Sequence, residues 1–232
     1  MREHIVKQFD ADLESIRSRV LQMGGLVEQQ IVKAMECLVE GDMLLIEQTI
    51  NNDDLVNRLE VELDEACTNI IARRQPTAGD LRMVMMVVKT ITDLERIGDE
   101  AKKIAKKARS LHSSESRIKP GIELRHVSTL AIDMLRKALD AFSRLDLNAA
   151  AQVVRQDKEV DAEFKAIMRQ LITFMMEDPR TITPSLDLLF IAKSIERIGD
   201  HAKNVSEYVV YMAKGRDVRH IGLDAIEKEV AE

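Results

Sequence analysis

Apolar residues spaced by threes and fours run along this chain almost without a break. Phe9, Leu13, Ile16, Val20, Met23, Val27, Ile31, Ala34 and Leu38 draw one stripe, the signature of a helix that buries one side. A second helix opens near Asp42, a residue suited to an N-cap, carries Val56, Leu59, Leu63, Ala66 and Ile70, and stops at Pro76. A third uses Val84, Val87, Ile91, Leu94, Ile97, Ala101, Ile104 and Ala108 before Ser113-Ser114-Glu115-Ser116 and Pro120-Gly121 interrupt the pattern. The same succession then repeats. Val127, Leu130 and Met134 begin helix four, and Asp146 opens helix five with Val160, Phe164, Ile167 and Leu171. After Pro179 and Pro184, helix six carries Leu188, Ile191, Ile195, Ile198, Ala202, Val205, Val209 and Met212. All four prolines fall between predicted helices, where a missing N–H costs least. No segment alternates with period two, so no sheet is predicted.

The two successions are copies. Glu95-Arg96-Ile97-Gly98-Asp99 recurs letter for letter as Glu196-Arg197-Ile198-Gly199-Asp200, and each continues into Ala-Lys (Ala101-Lys102, Ala202-Lys203). Further upstream Lys33-Ala34 matches Lys137-Ala138, Asp42 matches Asp146, Gln48 matches Gln152 and Asp53 matches Asp157. The stretch between Asp53 and Glu95 is the longer of the two, and the loop near Pro76 or Pro179 is the natural place for the difference. A repeat this long marks two copies of one folding unit rather than a solenoid. The predicted fold class is all-α: two tandem three-helix bundles, six long helices in all, related by an internal pseudo-two-fold. The predicted units are 1–115 and 116–215, followed by a charged tail over 216–232.

Composition narrows the function. Aromatics make up 3%, tryptophan is absent, and Ala, Leu, Ile, Val, Met, Glu and Lys dominate, as long helices require. A net charge of −6 argues against a primary nucleic-acid binder. The first residues are charged and lack an apolar signal-peptide segment, and the longest apolar run, Met83–Val88, is too short to span a bilayer. Cys37 and Cys67 sit in helical patterns without CxxC spacing and are read as reduced core thiols of a cytosolic protein.

The candidate chemistry lies in the acids. Glu95 and Asp99, four apart, share one helix face beside Leu94, Ile97 and Ala101, and Glu196 and Asp200 repeat the arrangement. Asp157 and Asp161 form a similar pair on helix five, whereas on helix two Asp53 is followed by Asn57. If helices two and three of each bundle pack antiparallel, three or four carboxylates would meet. Such a group repels itself unless it takes up protons or shares a cation. An all-oxygen set suits Mg²⁺, Mn²⁺, Ca²⁺ or iron. Solvated surface acids are the plain alternative, but the repeat includes a glycine, Gly98 or Gly199, that costs a helix interior roughly 1 kcal/mol relative to alanine. That points to close approach there, for packing or for a site.

The paired Glu-Arg-Ile-Gly-Asp motifs, with Arg73-Arg74-Gln75-Pro76-Thr77-Ala78-Gly79-Asp80-Leu81-Arg82 and Met175-Met176-Glu177-Asp178, resemble the PhoU family from the N-terminus to about Arg219. The resemblance implies a cytoplasmic negative regulator of phosphate uptake and of the phosphate-starvation response. It implies an adaptor between the ATPase subunit of a phosphate ABC transporter and a sensor histidine kinase, a protein that is not an enzyme, and a homodimer. It also implies metal sites at the family's acidic motifs, here Asp53, Glu95, Asp99, Asp157, Asp161, Glu196 and Asp200, holding Mg²⁺ or Mn²⁺, with iron as a further candidate. Asn57 departs from the family pattern and predicts a weaker first site.

Three rivals are distinguishable. A di-iron oxidase needs Glu-x-x-His on two helices, and only Glu123-Leu124-Arg125-His126 has that spacing, away from the acidic repeat. A histidine phosphotransfer module would use His201, whose counterpart Glu100 is not a histidine. A metal-free helical adaptor shares the predicted fold and is separated only by metal titration. No glycine-rich phosphate cradle is present.

Overall fold

The computed structural model describes residues 2–113 and 122–219, with 221, 225, 226, 228 and 229. Among these residues seven α-helices and one 3-10 turn form, and no strand. They are α1 (Arg2–Glu40), α2 (Met43–Asn51), α3 (Asp53–Arg74), α4 (Ala78–Ser113), α5 (Ile122–Arg144), α6 (Leu147–Glu177), the 3-10 turn Pro179–Thr181, and α7 (Ile182–Lys214). The six predicted rods are present; the second is interrupted at Asn52 into α2 and α3. The expected boundary near residue 115, with Ser114–Ser116 and Pro120-Gly121, lies outside the described residues, as does the side chain of Glu123.

Local chemistry explains the joints. Asp42 and Asp146 are extended N-caps whose carboxylates accept from Leu44 N at 2.8 Å and Asn148 N at 2.9 Å. The preceding residues, Gly41 and Leu145, both take the left-handed conformation. Glycine is required at the first, because a Cβ would meet the His112 ring at 2.5 Å. The halves differ at the next joint, where Gln75–Thr77 separates α3 from α4 but Asp178 and a 3-10 turn lead into α7.

α1, α3 and α4 bundle in the first half, and α5, α6 and α7 in the second. The predicted stripes face inward: Val20, Met23, Val27, Ile31 and Ala34 on α1 are fully buried, as are Val84, Ile91, Leu94 and Ile97 on α4. The core is continuous across both halves. Its broadest contact joins α4 to α7, and α1 also touches α5. Lys107 reaches Asp187, Arg197 reaches Glu100 and His201 reaches Asp93, so numbering rises on one helix as it falls on the other. α4 and α7 are therefore antiparallel about the pseudo-two-fold.

The charged tail expected from residue 216 is not simply a solvated end. Val218 and Ile226 are buried, and with Arg219 they line a cavity shared with α6 and α7. Its hydrophobic positions are too few to show in a charged segment. No described helix is long and apolar enough to cross a membrane.

Candidate functional site

Each half presents its acids on the neighbouring helices α3 and α4, or α6 and α7. In the first, Asp53 begins α3 and is 1% exposed. Its Oδ2 accepts a 2.9 Å hydrogen bond from Lys102 Nζ. In the second, Asp157 on α6, 6% exposed, accepts from Lys203 Nζ at 2.7 Å. Lys102 and Lys203 are the lysines of the repeated motif. Its conserved spelling within the chain thus carries a cation as well as acids, a role that helix spacing alone did not reveal.

In the second half Glu196, paired with Lys193 at 2.6 Å, lies near Asp200. Burial pushes the Asp200 carboxyl up to about 6, helped by the charges of Glu196, Asp157 and Asp161 and opposed by Lys193. Three of the four predicted acids of this half therefore act on the fourth, Asp200.

In the first half burial raises Glu95, and the charges of Asp99, Glu60 and Asp53 add to it while Arg96 opposes. Glu60 is an acid the sequence reading missed. Burial raises it too, and Asp99 acts on it. Seven residues after Asp53, it lies on the same face of α3, which is the spacing that could have found it. Phe164 holds the matching place in α6. The first half thus has an amide at Asn57 where the second has Asp161, and an acid at Glu60 where the second has Phe164.

The close gathering of three or four carboxylates is also looser than predicted. Among the described residues no three His, Cys, Asp or Glu side chains converge tightly enough to hold an ion as they stand. Asp53 and Asp157 each already carry a lysine counter-ion, which offsets part of the repulsion, while Asp200 still feels its acidic neighbours. The donor chemistry nonetheless suits a hard cation. Asp53 Oδ1 and Asn57 Oδ1 are buried without a partner.

The glycines differ. A Cβ on Gly98 would lie 3.0 Å from Gln30 Oε1, whereas on Gly199 it would make ordinary contacts of 3.5–3.7 Å with Val160 and Met134. His201, the phosphotransfer candidate, is turned to Asp93 at 2.6 Å. Cys37 and Cys67 are free thiols in the core, and burial pushes Cys67 up to about 11.

Comparison with known proteins fits this two-fold construction. The family model described as PhoU domain matches twice, over residues 20–108 and 124–209. The phosphate-specific transport system accessory protein PhoU of Escherichia coli (strain K12) is 48% identical over 231 residues, 100% of this chain and 95% of that protein. The PhoU homolog of Pseudomonas aeruginosa is 46% identical over 230 residues, 99% and 95% of the two chains. A crystal structure of PhoU from Pseudomonas aeruginosa superposes with a TM-score of 0.86 at 45% identity, covering 90% of this chain and 100% of that one. The phosphate transport system regulatory protein PhoU from Streptococcus pneumoniae gives 0.85 at 28% identity, covering 90% and 99%. With two matching domains and relatives aligned from end to end, the chain belongs to the PhoU family.

Proposed function

We propose that this chain is a cytoplasmic negative regulator of phosphate uptake and of the phosphate-starvation response. It acts without catalysis, as a homodimeric adaptor between the ATPase subunit of a phosphate ABC transporter and a sensor histidine kinase. The observation that carries this reading is the end-to-end likeness to proteins described as accessory to phosphate-specific transport. The helical surface suits docking, and no described helix could anchor it in a bilayer.

In this reading the acids of each half take up a divalent cation, Mg²⁺ or Mn²⁺, with iron as the further candidate. Asp53, Glu60, Glu95 and Asp99 would serve the first half, and Asp157, Asp161, Glu196 and Asp200 the second. A bound cation would neutralise the acidic face and change what it repels. The lysines on Asp53 and Asp157 favour a second reading, a metal-free adaptor whose acids are neutralised internally. Metal titration of chelator-stripped protein separates the two.

The adaptor role is tested by deletion. Phosphate-starvation genes, followed with a reporter in phosphate-rich medium, are expected to stay on without this protein. Normal repression in the deletion strain would contradict the assignment.

A further inference from the structure

Among the buried oxygens of the first half that lack a hydrogen-bond partner are Gln30 Oε1, Asp53 Oδ1 and Asn57 Oδ1. Two of them border the same space. The Cβ that Gly98 lacks would lie 3.0 Å from Gln30 Oε1 and 3.5 Å from Asp53 Oδ1. Asn57 follows one turn after Asp53 on α3, on the same face. Gln30, from α1, is 7% exposed. Lys102 engages Asp53 only through the other oxygen, Oδ2.

The second half has no such lining. Met134 and Val160 stand over Gly199, and Met134 occupies the place matching Gln30. Oxygen there would be wasted against sulfur and methyl groups. Gln30 versus Met134 thus joins Asn57 versus Asp161 and Glu60 versus Phe164 as a difference between the two sites.

We infer that Gln30 is a ligand of the first-half cation site. Its amide oxygen, with Asp53 Oδ1 and Asn57 Oδ1, forms an inner all-oxygen face for a hard divalent cation. Amide oxygens suit such ions and add no charge, so they bind beside Lys102 without creating a deeper acidic cluster. This rests on the cation reading above and specifies which side chains carry it on one half. The competing arrangement turns the Gln30 amide over, so that its NH₂ donates to Asp53.

The test uses the full chain with the second half disabled by Asp161→Asn, Glu196→Gln and Asp200→Asn. Stripped protein is titrated with Mn²⁺ by calorimetry at pH 7.5. Binding is expected, Gln30→Met is expected to weaken it at least tenfold, and Gln30→Glu to keep or tighten it, because glutamate retains the oxygen and loses the donor. Methionine should fit, since Met134 fills the matching place. If Gln30→Met does not fold, Gln30→Asn, which keeps the amide but shortens its reach, should show the same weakening. Equal Mn²⁺ affinity in parent and Gln30→Met or Gln30→Asn, or a Gln30→Glu variant as weak as Gln30→Met, would overturn the ligand role and leave the cation reading intact. Absence of Mn²⁺ binding by the parent would overturn both for this half.

Discussion

Lys203 on α7 holds Asp157 on α6 through a 2.7 Å hydrogen bond, and the repeat reproduces the bond between Lys102 and Asp53 at 2.9 Å. The motif therefore supplies its own counter-ion on the helix that presents the acids. Any external cation must share the aspartate with that lysine.

Replacing Lys203 by methionine separates the two effects. Leaving buried Asp157 unpaired should destabilise the metal-free protein by about 3 kcal/mol. Mn²⁺ should bind the variant more tightly and recover most of that loss. Urea unfolding with chelator and with millimolar Mn²⁺ checks both. A variant insensitive to Mn²⁺ would favour the metal-free adaptor.

The pH dependence follows from Asp200 and Glu207. Burial is the leading cause in each, raising Asp200 to about 6 and Glu207 to about 7. A group whose folded value lies above its unfolded one favours folding while protonated. That contribution is full below about pH 4 and is lost as pH rises through 6 to 7. In chelator, acidifying from pH 8 to 5.5 should therefore stabilise the protein by on the order of 1 kcal/mol after allowing for solvent screening. Asp200→Asn should flatten the profile in thermal melts. Below pH 4 the gain should reverse, because Glu100 and Asp133, both held low, are neutralised and lose their lysine partners.

The two glycines should respond differently to alanine. At Gly199 the new methyl makes ordinary contacts, so Gly199→Ala should stabilise the metal-free protein by up to about 1 kcal/mol through helix propensity. At Gly98 the methyl must displace the end of Gln30, which should cancel that gain. Denaturant midpoints of the two variants check the order; equal stabilisation would contradict the crowding at Gly98.

Across the pseudo-two-fold, Asp93 accepts from His201 at 2.6 Å and Asn204 at 3.1 Å, while its counterpart Ser194 bonds Glu100. Both acids lie on α4. Lys89 and Lys107, also on α4, sit over Tyr208 and Phe190 of α7. Pairing α4 with another α4 in the same register would set acid against acid and lysine against lysine. The charges thus favour union of the two halves within one chain. Asp93→Ala should cost about 1–3 kcal/mol by stranding its half-buried donors. Unfolding should remain a single transition because the core is shared. Circular dichroism and amide exchange in α1 and α6 would reveal any half that melts first.

Much of this was readable from the chain. The stripes of α1, α4 and α7 face the core because helical spacing and burial obey one period. The acids were visible as pairs four apart. What spacing cannot convey is which residue of another helix meets them. Lys102 was legible as part of a repeat but not as the partner of Asp53, forty-nine positions away. Gln30 sits on an apolar stripe of a different helix, and Glu60 is one acid among many on α3. Val218 and Ile226 were hidden because isolated apolar residues in a charged segment carry no periodic signal.

The most direct test of the cation account is a thermal melt of wild type and the double variant Glu196→Gln/Asp200→Asn, each in chelator and in millimolar Mn²⁺. The double variant removes two charges and nearly preserves shape. In chelator it should be the more stable protein, since repulsion at Asp200 is relieved. In Mn²⁺ the wild type should lead, because binding stabilises the native state. A crossover in rank is the predicted result; parallel melts, differing by no more than about 0.5 kcal/mol in either condition as for ordinary surface groups, would contradict it.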